Sequence, residues 1–225
     1  MAHIAADLDC NGYALLPGLL TETECQGLSG LYEHPEIFRS QVVMERHAFG
    51  RGEYRYFAYP LPALVAELRA ALYRPLSQVA NRWQAKLSRD IRYPEEHADY
   101  LAQCHAAGQT RPTPLLLTYG AGDYNRLHQD IYGDLVFPLQ AAVLLSEPGR
   151  DFSGGAFVLT EQRARVQTRA HVLPLRQGDA VIFPVKDRPV DGVRGPYRTQ
   201  HRHGVSTVDS GRRNTLGIIF HDASG

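Results

Sequence analysis

Beyond residue 111 the apolar positions fall in short runs broken by turn residues. The segments Leu115–Tyr119, 138–146, 156–159, 180–183, 197–208 and 215–221 are too short for helices, and they suit strands. Glu147-Pro148-Gly149, Ser153-Gly154-Gly155 and Gln177-Gly178-Asp179 punctuate them. Many short strands at this spacing predict a sandwich or jelly roll. The first 110 residues carry a different pattern. Residues 12–20 read as a strand and turn, and Thr21-Glu22-Thr23-Glu24 reads as a capping box opening a helix to about Tyr32. Pro62 can start a helix over 63–73, which Pro75 should kink or divide from a second helix over 76–87. Pro94-Glu95-Glu96 opens another helix, and Gly108 stops it. The expectation is one α+β domain over 1–225. Residues 1–110 would be mostly helical support packed on the outside, and 111–225 a jelly-roll core.

Composition changes this picture little. A chain of 225 residues with 44% hydrophobic and 21% charged residues is ordinary for a soluble globular protein. Cys10, Cys25 and Cys104 form no CxxC pair and suggest no disulfide framework. Residues 1–10 contain acids and no apolar signal-peptide core, and no run reaches the length of a membrane span, so a cytoplasmic protein is expected. Repeats and low-complexity segments are lacking. The net charge is zero, against a generally basic nucleic-acid binder. Residues 162–213, however, hold ten Arg and one Lys against four Asp, a balance of +7. Most of these arginines should be solvated, with room for a local basic wall around a site.

The chemistry concentrates at LLLTYGAGDYNRLHQD, residues 115–130. An apolar strand breaks at Gly120 and Gly122 and ends in His128-Gln129-Asp130. Residues two apart on an extended strand share a face, so His128 and Asp130 can aim a nitrogen and an oxygen at one point. With one more histidine, that donor set suits divalent iron. His201 and His203 both offer themselves, and they share strand parity. After His203 comes GVSTVDSGRRNTL, which puts Gly211 in a turn and Arg213 on the next strand.

Tyr119, the His128/Asp130 pair, Gly154-Gly155, Gly178-Asp179-Ala180-Val181-Ile182-Phe183 and the stretch from His203 to Arg213 together resemble the iron(II)- and 2-oxoglutarate-dependent dioxygenases, in their prolyl-hydroxylase-like branch. The resemblance implies a double-stranded β-helix with iron on His128, Asp130 and His203. It implies that Arg213 holds the distal carboxylate of 2-oxoglutarate, with Tyr119 bonded to the same co-substrate. Thr215 takes the hydroxyl position of the family's Arg-x-Ser element. O2 would be consumed, ascorbate would be a stimulant, and 2-oxoglutarate would leave as succinate and carbon dioxide. His201 is then structural, as are His3, His34, His47, His97, His105, His171 and His221. Arg212 has the opposite parity to Arg213 and belongs to the surface or the substrate side. Gly154-Gly155 relieves crowding at a strand entry, and Asp179 belongs to a turn.

Substrate is less legible. Residues 45–59, ERHAFGRGEYRYFAY, alternate aromatics with arginines. Phe49, Tyr54, Tyr56 and Phe57 could stack on bases, and Arg46, Arg51 and Arg55 could meet phosphates. The plainer and favoured expectation is an amphipathic hairpin with packed rings and solvated arginines. Within this stretch the candidate substrate residues are Arg51, Tyr54, Arg55 and Tyr56. The whole chain is also similar to a bacterial oxygenase family catalogued as acting on damaged DNA by oxidative demethylation, which implies alkylated single-stranded nucleic acid as partner. Two departures from alkylated-DNA repair enzymes stand out. Leu116-Leu117-Thr118-Tyr119 replaces their Asn-Tyr-x approach, and Ile219 stands where a second arginine is expected. Prolyl 4-hydroxylation and small-molecule hydroxylation therefore stay open. So does a metal-binding or oxygen-sensing module without activity, which the intact triad and Arg213 argue against. Oligomeric state has no signature in the sequence.

Overall fold

The computed structural model describes residues 2–225. Two antiparallel sheets face each other. The larger has seven strands in the order Ala14–Leu16, Ala180–Pro184, Leu139–Leu144, Arg213–Ile219, Leu115–Tyr119, Glu53–Phe57 and Phe38–Val43. The smaller runs Arg169–Leu173, Phe157–Gln162, Tyr197–Val205, Tyr124–His128 and Gly50–Arg51, and Asp187–Val190 also pairs with Tyr197–Val205.

The central strand Leu139–Leu144 is buried along its whole length. Leu139, Ala141 and Val143 face the helices, while Ala142 and Leu144 face the smaller sheet. A strand covered on both faces loses the apolar–polar alternation, and its sequence reads as a continuous apolar run. The two larger clusters of the core accordingly lie on opposite faces of this sheet. Leu72, Tyr73, Leu76, Val79 and Trp83 pack with Val143, Ile182, Leu216 and Ile218 on the helical side. Phe152, Phe157, Leu159, Val181, Phe183 and Val208 fill the space between the sheets.

The capping box is formed: Thr21 Oγ1 accepts from Glu24 N, and Thr21 N donates to the Glu24 carboxylate at 2.8 Å. That helix spans Glu22–Gly30 and ends in a short 3-10 turn. Pro75 does not divide the next helix, which runs unbroken over Ala63–Lys86. Proline removes the hydrogen bond to the carbonyl four residues earlier, here Ala71, which lies on the exposed side where water reaches it. The loss of roughly 3 kcal/mol is outweighed by the buried face, where each large apolar side chain contributes roughly 1.5–3 kcal/mol. The helix after Pro94 begins at His97, with Glu96 as N-cap, and Gly108 follows its end with φ +80°.

Two further differences from expectation concern the first 110 residues. A helix covers Ala2–Asn11, and the hairpin Phe38–Val43/Glu53–Phe57 extends the larger sheet, so this part supplies strands as well as helices. A buried ion pair ties the long helix to the end of strand Arg213–Ile219. Arg69 Nη2 donates to Asp222 Oδ1 at 2.8 Å, and Arg69 Nε donates to the Ile219 carbonyl at 2.9 Å. Tyr59 and His105 occupy the other Asp222 oxygen. Asp179 accepts from the backbone N–H of Gly18 and of Arg176, as a turn residue. All three cysteines are free. Among the described residues no helix is long and apolar enough to cross a membrane.

Candidate active site

Between the sheets lies a cavity of about 360 Å³. His128 ends strand Tyr124–His128, directly opposite His203 on Tyr197–Val205. The register then slips: Val205 pairs with Asn125, so two steps on one strand match three on the other. This bulge lets Asn125 and His128 both line the cavity despite their odd spacing. Gly204 makes room for it, because a Cβ there would sit 2.6 Å from the Asn125 carbonyl oxygen. Asp130 lies just past the strand end, and it is buried.

Ligand atoms of His128, Asp130 and His203 lie within 4.8 Å of one another. His203 Nε2 is 3.3 Å from Asp130 Oδ2, and His128 Nε2 is 3.6 Å from Asp130 Oδ1. His128 Nδ1 is 2.7 Å from the Arg126 carbonyl, which can only accept, so Nδ1 carries the proton and the Nε2 lone pair is free. Burial alone would raise the Asp130 carboxyl. The hydrogen bond to His203, the positive charge the His128 and His203 imidazoles carry when protonated, and the Tyr132 hydroxyl outweigh it, and hold Asp130 well below the ordinary carboxylate range. Burial, with His128 nearby, lowers the His203 pKa and favours the neutral imidazole that metals bind. Two imidazoles and an ionised carboxylate on one side of a cavity fit a divalent first-row metal such as iron.

Arg213 stands elsewhere along the cavity wall, opposite Tyr119 in the register. It is 1% exposed, yet no carboxylate among the described residues lies within ion-pair distance. Its Nη1 donates to Thr215 Oγ1 at 2.5 Å, its Nε has no partner, and the rings of Tyr119 and Phe152 flank it at 5.7 and 5.8 Å. Burial lowers its pKa to about 10, so it remains a cation at neutral pH. Gly155, at φ +57°, lies against this side chain: a Cβ there would fall 2.9 Å from Arg213 Cδ. Tyr119, its hydroxyl accepting from Asn125 Nδ2 at 3.3 Å, is pushed by burial to about 12.

The four candidate substrate residues do not converge. Tyr54 lines the cavity. Tyr56 lies behind it, its hydroxyl 3.0 Å from that of Tyr132. Arg55 projects the opposite way, donating to the Tyr32 carbonyl at 2.6 Å with its guanidinium over the Tyr32 ring. Arg51 is exposed on the short strand that pairs with Tyr124. The cavity instead takes its rim from Phe49, Arg126 and Leu127. Nothing local in the sequence brings Phe49 beside Arg126 and Leu127; only the pairing of Gly50–Arg51 with Tyr124–His128 joins them. Tyr132 could have been suspected, since it repeats the two-residue step from His128 through Asp130. His201 is wholly buried, sits beside Thr199 Oγ1, and is not among the grouped ligand atoms. Arg212 is exposed.

A family model described as an oxygenase catalysing oxidative methylation of damaged DNA matches residues 52–223. Two uncharacterized proteins of Mycobacterium tuberculosis, from strains CDC 1551 / Oshkosh and ATCC 25618 / H37Rv, are each 49% identical over 168 residues, covering 75% of this chain and 72% of theirs. A prolyl-4-hydroxylase of Pseudomonas putida shares the fold with a TM-score of 0.56 at 14% identity, covering 100% of this chain and 99% of that one. An oxidoreductase of the 2OG-Fe(II) oxygenase family from Burkholderia pseudomallei gives 0.59 at 15% identity, covering 99% and 91%. At these identities the two structural likenesses concern the fold.

Proposed function

Because the chain belongs to the oxygenase family whose model spans residues 52–223, we propose that it is an iron(II)- and 2-oxoglutarate-dependent dioxygenase that removes N-alkyl groups from bases in nucleic acid. The two facing sheets are then a double-stranded β-helix with the active site between them. The observation that carries the reading is Arg213, a buried cation that faces the cavity and has no carboxylate within ion-pair distance among the described residues. Leaving a charge desolvated and unpaired is costly, and an incoming carboxylate removes that cost through two parallel hydrogen bonds. A dicarboxylate whose other end reaches the His128/Asp130/His203 cluster meets both requirements.

Iron bound by the three ligands would supply oxygen activation coupled to decarboxylation of 2-oxoglutarate to succinate, with hydroxylation of a substrate C–H bond. The chain's own residues do the positioning. Thr215 fixes the Arg213 guanidinium, the rings of Tyr119 and Phe152 flank it, and Phe157 and Phe183 pack against the His203 ring at the ligand end. At the mouth, Phe49 is 49% exposed and stacks on His47 at 5.3 Å, with Leu127 44% exposed beside the cavity. Arg126 and Arg51 are exposed nearby. An apolar ring platform bordered by cations suits a base and its flanking phosphates. The ligands lie inside a cavity, so a duplex base must swing out to reach them, and single strands should react faster. Hydroxylation of an N-methyl carbon gives a hemiaminal that releases formaldehyde.

The test mixes the protein with iron(II), 2-oxoglutarate, ascorbate and oligonucleotides carrying N-methyl lesions, single-stranded and duplex. Formaldehyde and the restored base are expected in equal amounts, with the single strand favoured. Succinate release stimulated by proline-containing peptides or small metabolites, and by no methylated oligonucleotide, would overturn the substrate assignment.

A further inference from the structure

Asp130 carries two oxygens, and the chain commits one of them. Tyr132 Oη lies 2.6 Å from Asp130 Oδ1. An ionised carboxylate can only accept, so the single phenolic proton of Tyr132 points at it. The Tyr132 oxygen then accepts in turn from Tyr56 Oη at 3.0 Å. The two-tyrosine chain therefore has one direction, toward Asp130.

Both rings are held from outside the cluster. Tyr56 is 8% exposed, with the Arg39 guanidinium 4.4 Å over its ring and Tyr54 edge-on at 5.4 Å. Arg39 is itself fixed by its Nε donating to the Pro112 carbonyl at 2.8 Å. The Tyr132 backbone carbonyl accepts from Ser224 N at 3.0 Å, and its ring meets Tyr56 edge-on at 6.1 Å. Hydroxyls so constrained at a carboxylate have little freedom to follow it; the carboxylate must follow them.

We propose that Tyr132 is a positioning residue for the metal centre. It engages Asp130 Oδ1, which also lies 3.6 Å from His128 Nε2, and so leaves Oδ2, beside His203 Nε2, as the oxygen given to the metal; Tyr56 fixes Tyr132 in that role. The inference rests on the metal site of the function proposed above. Groups that orient a metal's carboxylate ligand are worth about 10- to 100-fold in affinity.

Calorimetric titration of the full chain with Mn(II) tests it. Tyr132→Phe keeps the ring and removes only the hydroxyl; it should bind Mn(II) about 10- to 100-fold more weakly. Tyr56→Phe should give a smaller loss in the same direction, and it provides the reading if Tyr132→Phe does not fold. Cobalt(II) absorption adds a signature that general destabilisation would not move. With both Asp130 oxygens free to coordinate, the d–d bands of Tyr132→Phe should differ from those of the unaltered protein. Mn(II) affinity within twofold of the unaltered protein in the variant that folds, with unchanged cobalt bands, would overturn the proposal and leave the tyrosines a structural tie. Failure of the unaltered protein to bind Mn(II) would overturn the metal reading itself, a distinct result.

Discussion

Replacing Arg213 with methionine should stabilise the protein and disable it. The guanidinium is buried with no carboxylate partner, and burial takes its pKa from 12.5 to about 10. A cation whose folded pKa is depressed costs stability at every pH below that value, and the cost fades only as pH rises toward the unfolded value. At neutral pH this desolvation amounts to about 3 kcal/mol. Methionine fills similar volume without the charge, so Arg213→Met without co-substrate should unfold later, by about 1–3 kcal/mol. Binding moves the opposite way. Truncating one partner of a buried charge pair costs about 2–5 kcal/mol, or about 30-fold to several-thousand-fold in affinity for 2-oxoglutarate. Urea unfolding measures the first effect, and calorimetric titration of Mn(II)-loaded protein with 2-oxoglutarate measures the second. In the unaltered protein, 2-oxoglutarate at 100 times its Kd should add about 2.7 kcal/mol of stability, and in the variant at that concentration almost none. Arg213→Met binding 2-oxoglutarate within threefold of the unaltered protein would show that Arg213 does not anchor the co-substrate.

Other parts of the structure make further predictions. Gly204→Ala places a Cβ 2.6 Å from the Asn125 carbonyl oxygen, so it should push the strand carrying His128 outward and weaken Mn(II) binding, at about 1–3 kcal/mol of stability; unchanged calorimetric affinity would show that the bulge does not set the ligand geometry. Arg69→Met leaves the buried Asp222 with the Tyr59 hydroxyl and one half-exposed histidine on a single oxygen and no guanidinium, and should cost about 3–5 kcal/mol in urea unfolding. His97 is held neutral by burial, its pKa lowered from 6.5 to about 4. The unfolded chain takes up that proton below pH 6.5 while the folded one does not until about 4, so stability falls across this window by about 3 kcal/mol for this group. His97→Gln, which can still donate to the Phe220 carbonyl, should flatten the dependence of the urea midpoint on pH between 6.5 and 4.

What the sequence disclosed follows from which interactions are local. The strands from Leu115 onward were legible because most are buried, and unbroken apolar runs between turn residues leave few alternatives. The pairing of His128 with Asp130 was legible from a two-residue step, and His203 rather than His201 was what the family resemblance implied, although the register slip opposite Gly204 was not legible. Pro75 misled because the price of an interior proline is set by what the helix buries, which spacing does not reveal. The helix Ala2–Asn11 went unseen because its only large apolar side chains beyond the first residue are Ile4 and Leu8, too few to show a period. In residues 45–59 the alternation was real, but strand parity sends Arg55 to one face and Tyr54 to the other. Phe49 and Leu127 meet only through a pairing between distant segments.

The three ligands and Arg213 should act as one site for iron and 2-oxoglutarate. Anaerobic addition of 2-oxoglutarate to the iron(II)-loaded protein, followed by visible absorption, tests this most directly. A weak charge-transfer band that saturates with 2-oxoglutarate is predicted for the unaltered protein. It should be absent in His203→Ala, and should need at least about 30-fold more 2-oxoglutarate in Arg213→Met. Iron bound with no band at any 2-oxoglutarate concentration, or a band of the same affinity in Arg213→Met, would contradict it.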